Sequence, residues 1–334
     1  MAKERWFDSL AWFQCLQRTA IDQTVQPRIY VVTAAHGSAI ACLFCCIRCP
    51  GSRELTSLSN YYTMEFGPVA EAGADMARVC AALASFIASE RPRWHTVRLD
   101  YLKKSSAAAA AMIRALDHAG YAVHHHHQYE NWFLDCPATS FDEYFAKRPS
   151  RLRNTVERKS RKLQKSYQVK FVLYGQRQED LDQGVRDYVA VYNSSWKQPE
   201  PHPEFIPDLA RRLAAIDCLR LGVLYVDGKP AAAQFWITTR TEACIYKLAY
   251  DEQFSEMSVG AVLSREMFRQ ALDVDHVTRI DYGVGSEAYK REWMAGMQEI
   301  FGIHAYSRQS PSGIARNFAA HLKTQAKRLA MRPR

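Results

Sequence analysis

The sequence contains no uninterrupted apolar run long enough to cross a membrane. Its longest apolar region spans residues 29–47 and is broken by His36-Gly37-Ser38, which is typical of a turn between two β-strands. The amino-terminal stretch is aromatic-rich and amphipathic, and it lacks the small-residue cleavage site that follows a secretory signal. These absences predict a cytoplasmic protein with no membrane span.

The sequence also shows no sign of a disulfide framework, no clear short repeat and no low-complexity stretch apart from the alanine run at residues 107–111, in a predicted helix. The nine cysteines are an odd number, and many stand inside apolar runs, as free buried thiols do in a reducing compartment. Hydrophobic residues make up 48% and charged residues 24% of the chain, which excludes disordered and fibrous proteins. A length of 334 residues exceeds one average domain and predicts two.

The positive charge is concentrated in two segments. Residues 147–170 contain ten basic residues and one acid, and residues 308–334 contain seven basic residues and no acid, within a chain of net charge +9. The rest of the chain is therefore acidic, at −7. Both segments carry apolar residues at helical spacing, which predicts two amphipathic helices. Their basic faces are either merely solvated or dock tRNA, an acyl carrier or CoA phosphates. The apolar positions are Leu152, Val156 and Leu163, and then Ile314, Phe318, Leu322, Ala326 and Leu329.

Strands and helices alternate in a similar order in both halves of the chain. In the second half, Asp227-Gly228 predicts a hairpin between strands at 219–226 and 230–238. A strand at 243–250 and a helix at 258–271 are predicted to follow. In the first half, two short strands are predicted near 121–125 and 131–134.

This order of elements predicts an α/β (α+β) fold with two similar lobes, each a curved, mostly antiparallel sheet flanked by helices. The predicted division is an N-terminal lobe at 1–140, a basic connecting helix at 141–166, a C-terminal lobe at 167–307 and a basic amphipathic C-terminal helix at 308–334.

One candidate anion site is Ser258-Val259-Gly260-Ala261, at the start of the predicted helix. Ser258 is a good helix N-cap, and Gly260 lets a ligand approach the backbone closely. The free N–H groups at a helix start attract phosphate groups. The four residues are therefore predicted to bind the donor substrate; the alternative is an ordinary capped helix with an incidental glycine.

A second candidate site follows the strand predicted near residue 280. Asp281, Tyr289 and Lys290 bring an acid, a phenol and an ammonium close together along the chain, around a turn that two glycines permit. A lysine can stabilise an oxyanion, and a tyrosine or an aspartate can move protons. The alternative is a surface loop that a tyrosine and a tryptophan anchor to the core.

Further short motifs surround these two sites. They are Asn60-Tyr61-Tyr62, Ser195-Trp196-Lys197, Pro199-Glu200-Pro201, Ala233-Gln234-Phe235-Trp236, Leu248-Ala249-Tyr250-Asp251, Ser258-x-Gly260 and Asp281-Tyr282-x-x-Gly285-x-x-x-Tyr289-Lys290-x-x-Trp293. Together they resemble a branch of the GNAT acetyltransferase superfamily that includes bacterial acetyltransferases associated with cellulose biosynthesis. The chain is also similar to the Fem-type aminoacyltransferases, which carry two GNAT-like lobes. The resemblance covers roughly residues 28–306 and is strongest from residue 194 onward.

The resemblance implies direct transfer of an acyl group from a thioester or an aminoacyl ester to an amine. The donor would be an acyl-CoA such as acetyl-CoA, an acyl carrier protein or, in the Fem-type alternative, aminoacyl-tRNA, and no metal would take part. Tyr289 would protonate the leaving group and Lys290 would stabilise the oxyanion. The acceptor is expected in a cleft between the lobes, and a setting in polysaccharide biosynthesis is implied by the resemblance alone. The substrate-positioning residues would be Tyr61, Tyr62, Trp196, Lys197, Gln234, Lys247, Tyr250 and Asp251, although Gln234 and Asp251 could instead satisfy backbone groups where strands separate.

Three other hypotheses are weaker. Cys42-x-x-Cys45-Cys46-x-x-Cys49 has zinc-like spacing, but its apolar residues predict a strand, in which the cysteines alternate between faces. A non-enzymatic nucleic-acid-binding protein would suit the two basic segments, yet the acidic remainder disfavours it. A GNAT-like scaffold without turnover is the third.

Overall fold

The computed structural model describes residues 6–175 and 180–330; for residues 324 and 326–330 it describes the backbone but not the side chains. The predicted stripe positions Ala326 and Leu329, and the basic residues after 330, therefore lie outside the described side chains. The Cα positions define two compact units: unit 1 is Met1–Ala20 with Glu130–Met297, and unit 2 is Ile21–Tyr129 with Gln298–Arg334. Each unit is assembled from two stretches of chain, whereas the predicted lobes are contiguous; the predicted boundaries stay a prediction.

Strands and helices alternate along the whole chain. The strands are β1 (Gln26–Thr33), β2 (Ala39–Ile47), β3 (Glu54–Ser57), β4 (Val69–Ala70), β5 (Thr96–Lys103), β6 (Tyr121–Asp135), β7 (Val169–Tyr174), β8 (Leu219–Val226), β9 (Lys229–Thr238), β10 (Glu242–Tyr250), β11 (Arg279–Val284) and β12 (Gly296–Ser307). The α-helices are α1 (Leu10–Thr19), α2 (Met76–Ser89), α3 (Ala107–His118), α4 (Phe141–Ala146), α5 (Ser150–Ser166), α6 (Leu181–Asn193), α7 (Phe205–Ala214), α8 (Val259–Arg269), α9 (Ala288–Trp293) and α10 (Pro311–Ala330). Short 3-10 helices lie at Trp6–Asp8 and Glu252–Met257, and a π-helical turn lies at Gln270–Val274.

The sheet of unit 1 has the order β7-β8-β9-β10-β11, with the last residues of β6 beside β11. All neighbours are antiparallel except β10 and β11, which are parallel. The predicted hairpin between β8 and β9 is confirmed. Asp227 and Gly228 have φ values of 49° and 77°, the pair of positive angles that a tight hairpin turn of this kind requires.

The strands β10 and β11 separate after a short parallel contact. Their pairing ends where Cys244 lies opposite Asp281, although β10 continues to Tyr250. On its other edge, β10 carries a β-bulge between Ile245 and Lys247 against β9. A bulge leaves one residue out of the regular ladder and bends the strand. The two strands therefore open a gap on the side where β10 leads towards α8.

An aromatic cluster holds α8 against the sheet of unit 1. Phe268 stacks on Tyr144 at 5.1 Å between ring centroids and on Trp293 at 4.9 Å, and it meets Trp236 edge-on at 5.3 Å. All four side chains are buried. Such aromatic packing contributes stability beyond its buried area and anchors the last turn of α8. The start of the helix is held by Val259, Val262 and Leu263, which are buried in the same core.

The strands of unit 2 have the order β1-β2-β3-β5-β12, in which β3 and β5 are parallel and the other pairs are antiparallel. The two short strands predicted near 121–125 and 131–134 are wrong, because β6 is one continuous strand of 15 residues. Neighbours contact its polar stretch: His125 stacks on Phe301 at 5.3 Å, and His126 Nε2 lies 3.2 Å from Asp100 Oδ1.

The predicted α/β (α+β) fold class, with mostly antiparallel sheets flanked by helices, is confirmed. The strand predicted across the cysteine run is confirmed as β2 for Cys42, Cys45 and Cys46, of which the last two are buried, whereas Cys49 lies beyond the end of the strand. Within residues 6–175 and 180–330, no helix combines the length and the apolar character needed to span a bilayer.

Candidate active site

A cavity of about 520 Å³ opens in unit 1 at the gap between β10 and β11. Seven elements contribute to it, together with the loop that carries Trp196: α5, β9, β10, the 3-10 helix at Glu252–Met257, α8, β11 and α9. The lining residues are Arg151, Leu152, Thr155, Trp196, Gln234, Leu248, Ala249, Tyr250, Ser255, Ser258, Val259, Gly260, Ala261, Ser264, Tyr282, Tyr289, Glu292 and Trp293. A cavity of this size accommodates a small organic ligand or the reactive arm of a larger one.

The four residues predicted to bind the donor, 258–261, all line this cavity. The N–H groups of Val259 and Gly260 make no hydrogen bond within the described parts of the chain, whereas those of Ala261 and Val262 bond to the carbonyl of Ser258. Unpaired N–H groups at a helix start form an anion site, which the helix dipole reinforces. A Cβ on Gly260 would stand 3.2 Å from the Tyr250 ring, so glycine keeps this approach open.

The prediction that Ser258 caps the helix is wrong. Ser258 does precede α8, but its side chain makes no capping hydrogen bond, and its φ of 55° lies in the left-handed region. The reason is that Ser258 also ends the 3-10 helix at Glu252–Met257, where its N–H bonds to the carbonyl of Ser255. The helix start is therefore left without a side-chain partner.

Tyr289 and Glu292 bring acid–base groups to the cavity from α9. The Tyr289 side chain is 42% exposed and meets Tyr282 edge-on at 5.8 Å. Burial, and then the nearby Glu287 carboxylate, raise the pKa of the Tyr289 phenol, so it holds its proton at neutral pH. Glu292 is the one carboxylate among the lining residues. The cavity is thus lined by a proton donor and a carboxylate from the same helix.

Lys290 lies behind this surface rather than in it. Its side chain is buried, and the ammonium donates to the carbonyl of Val284, makes a longer contact of 3.4 Å with the carbonyl of Gly285 and pairs with Glu287 at 2.9 Å. Burial lowers its pKa, and Glu287 opposes that shift. An ammonium has three N–H donors, and here all three have acceptors. In this arrangement Lys290 holds the turn before α9.

Asp281 stabilises the same turn. Its Oδ1 accepts hydrogen bonds from Asn131 Nδ2 at 2.6 Å and from the N–H of Gly283 at 2.8 Å. These bonds fix the backbone where β11 leaves the sheet. The catalytic role predicted for Asp281 stays a prediction, since the contacts described here are those of a turn-stabilising residue.

The residues predicted around β9 and β10 differ in their contacts. The Gln234 amide is enclosed: it donates to Ser264 Oγ at 2.8 Å and accepts from Trp236 Nε1 at 2.9 Å. Tyr250 lines the cavity, and its ring lies 4.6 Å from that of Trp196. Asp251 accepts a hydrogen bond from the N–H of Gln253 at 2.9 Å at the start of the 3-10 helix. It thus satisfies a backbone group, which is the alternative to a substrate-positioning role that the sequence left open.

Lys197 lies within the electrostatic influence of two other lysines and two glutamates: Lys247, Lys290, Glu200 and Glu287. The Lys197 ammonium lies 5.6 Å from the centroid of the Tyr192 ring, and that of Lys247 lies 5.5 Å from the same centroid. Lys247 also pairs with Glu200. Lys197 makes no ion pair or side-chain hydrogen bond with the described residues through its ammonium. Burial, followed by the charge of Lys247, lowers the pKa of Lys197 to about 8.

We therefore expect Lys197 to react as a partly neutral amine in mildly alkaline solution. Labelling with an amine-specific reagent should be half-maximal near pH 8, as read by peptide mass mapping. The variant Lys247→Met should move this midpoint upward, because it removes a neighbouring positive charge that disfavours the Lys197 ammonium. A midpoint that stays in place, or falls, would contradict this account of Lys197.

The predicted residues Tyr61 and Tyr62 belong to unit 2. Their rings meet edge-on at 5.1 Å; Tyr61 is 63% exposed and Tyr62 is buried. The N–H of Tyr62 bonds to Asn60 Oδ1 at 3.0 Å. Their role in substrate binding stays a prediction.

Sequence reasoning missed part of the cavity wall. Glu292 could have been found, because it follows Tyr289 by three residues and neighbours at that spacing share one face of a helix. Arg151 and Thr155 come from α5, and only the folded chain brings them to α8.

As for metal ligands, the described side chains include no group of three or more His, Cys, Asp or Glu that could hold an ion.

Comparison with known proteins defines the class of this fold. Residues 150–291 match the family model Acetyltransf_6, an acetyltransferase (GNAT) domain. The matched segment lies within unit 1 and contains β10, β11 and the start of α8. No curated protein sequence matches the chain. The predicted GNAT likeness is therefore confirmed for this segment, while the cellulose-biosynthesis branch stays a prediction.

Several solved structures share the fold over almost the whole chain. FemX superimposes with a TM-score of 0.62 at 10% identity, covering 92% of this chain and 93% of FemX. L-PGS from Bacillus licheniformis gives 0.54 at 10% identity, covering 92% and 94%. The C-terminal domain of a putative lysylphosphatidylglycerol synthetase from Agrobacterium fabrum gives 0.51 at 15% identity, covering 88% and 89%. At such identities the likeness is one of fold.

Proposed function

We propose that unit 1 is an acyltransferase that moves an acyl group from a thioester donor, with acyl-CoA as the first candidate, to an amine. The observation that carries this proposal is the cavity between the separated strands β10 and β11. It has unpaired N–H groups of α8 at one side and Tyr289 with Glu292 at another. The match of residues 150–291 to a GNAT domain supports the same reaction class.

The residues of the cavity suit both ends of such a donor. Phosphate groups would lie against the N–H groups of Val259 and Gly260, with Arg151 adding positive charge to the cavity wall. The acyl carbonyl would lie where β10 leaves its partner strand, since backbone N–H groups freed there can bond an oxyanion. The open position at Gly260 keeps the pyrophosphate path clear of a side chain.

The transfer requires a neutral acceptor amine. Its nitrogen attacks the acyl carbonyl carbon, Glu292 accepts the proton that the amine loses, and the carbonyl oxygen carries the negative charge. When the tetrahedral adduct collapses, the carbon–sulfur bond breaks and the Tyr289 phenol protonates the leaving thiolate. The products are an amide and a free thiol.

The basic helix α5 favours the alternative in which the donor is aminoacyl-tRNA. Among its basic residues, Arg158, Arg161, Lys162 and Lys165 are exposed, and Arg151 reaches the cavity. A polyanion of any kind is attracted to such a face. A protein that only binds nucleic acid would share this feature but would form no acylated product.

Mass spectrometry of the products tests the proposal. The full chain is incubated with acetyl-CoA and a panel of primary amines, and in parallel with charged tRNA. An amide product from acetyl-CoA, with turnover lowered about 100-fold in Glu292→Gln and donor affinity kept, is the expected result. Product from charged tRNA alone would favour the alternative, and no product from either donor would contradict the proposal.

A further inference from the structure

The C-terminal helix α10 packs with a side of small and polar residues and exposes a side of large apolar residues. The face that is shielded within unit 2 carries Gly313, Asn317 and Ala320. The outward face carries three large apolar side chains that recur every four residues: Ile314, Phe318 and Leu322, which are 53%, 65% and 52% exposed. Residues at this spacing form a continuous stripe along a helix, here on the side roughly opposite to the packed one.

Specific contacts hold α10 in this orientation. Asn317 Oδ1 lies 2.6 Å from His124 Nε2, and the His321 and His124 rings meet at 4.7 Å. Gly313 permits a close approach, because a Cβ there would stand 2.3 Å from the carbonyl oxygen of Ser307. The helix therefore cannot roll to bury its apolar stripe without losing these contacts.

The charge of this segment indicates what covers the stripe. Residues 308–334 contain seven basic residues and no acid. On α10, Arg316 and Lys323 are exposed outside the stripe. Two copies of such a helix would repel each other because both are basic. A surface that is anionic outside and apolar inside would instead attract the basic side chains and bury the apolar stripe.

We propose that α10 lies flat on an anionic lipid bilayer. Ile314, Phe318 and Leu322 enter the boundary between headgroups and acyl chains, and the basic side chains bind the headgroup phosphates. A helix of 20 residues covers about 30 Å of the membrane surface. This inference does not depend on the acyltransferase proposal, because it uses only residues of unit 2.

Vesicle co-sedimentation of the full chain tests the proposal. We expect the protein to bind vesicles of equal parts phosphatidylcholine and phosphatidylglycerol, to bind phosphatidylcholine vesicles at least about tenfold less, and to be released by salt. The variant Phe318→Glu should lower binding to the anionic vesicles at least about tenfold, and Lys323→Glu should lower it less.

A matched control separates this surface from a general effect of charge. Phe86 of α2, also in unit 2, is 60% exposed, and Phe86→Glu makes the same chemical change elsewhere and should leave vesicle binding intact. Unchanged thermal melting of Phe318→Glu shows that the fold is kept. Absence of vesicle binding, equal binding to both kinds of vesicle, or a concentration-dependent dimer that Phe318→Glu dissolves would each overturn the proposal.

Discussion

Replacing Gly260 by glutamate should weaken donor binding at least about 100-fold, which corresponds to about 2.7 kcal/mol. Two effects combine in this variant. The added side chain starts 3.2 Å from the Tyr250 ring and fills the cavity beside α8. Its carboxylate also takes the place of the donor's anionic groups at the positive end of the helix. Equilibrium dialysis with labelled acetyl-CoA measures the loss.

Two further variants separate the causes. Gly260→Ala adds one carbon that the Tyr250 ring can accommodate by a small shift, so donor affinity should stay within about tenfold of that of the original chain. Gly260→Gln adds bulk without charge, so its donor affinity should lie between those of Gly260→Glu and Gly260→Ala. An acidic residue in the first turn stabilises a helix, so Gly260→Glu should melt no lower than Gly260→Gln. Equal donor affinity in Gly260→Glu, Gly260→Gln and Gly260→Ala would mean that the donor does not bind at the start of α8.

Replacing Lys290 by methionine should lower turnover at least about 100-fold, whichever of two roles Lys290 has. In the first, its ammonium leaves the 3.4 Å contact with the carbonyl of Gly285 and donates to the oxyanion instead, a loss that typically costs two orders of magnitude. In the second, it acts by holding the turn that positions Tyr289. Steady-state turnover at saturating donor measures the effect.

The neighbouring Glu287 distinguishes these roles. If Lys290 only holds the turn, Glu287→Gln, which breaks the 2.9 Å ion pair, should lower turnover substantially as well. If Lys290 bonds the oxyanion, Glu287→Gln should leave most of the turnover, because the ammonium remains. Thermal melting of each variant controls for lost stability. Full turnover in Lys290→Met would remove Lys290 from the mechanism.

Local sequence signals predicted the elements that local physics determines. The turn at Asp227-Gly228 follows from two residues that accept positive φ, and the strands on either side follow from their apolar, β-rich composition. The helix after Ser258 was likewise predicted. What failed was the detail of its start, because whether a serine caps a helix depends on the backbone before it, here a 3-10 helix that leaves Ser258 in the left-handed region.

The candidate site could be predicted only in part, because it depends on contacts between distant segments. Sequence reasoning found the α8 start and Tyr289, since both belong to local motifs. It could not foresee that β10 and β11 separate after Cys244, or that α5 brings Arg151 to the same cavity. Lys290 shows the converse: its type and position predict a donor to the oxyanion, whereas the fold surrounds its ammonium with acceptors.

The central claim is that unit 1 holds a thioester donor at the start of α8. Isothermal titration of the full chain with acetyl-CoA, a long-chain acyl-CoA and free CoA tests it most directly. The account predicts binding in the micromolar range for at least one of the three ligands, lost in Gly260→Glu and kept in Gly260→Ala. Binding that survives unchanged in Gly260→Glu, or no binding of any of the three, would contradict it.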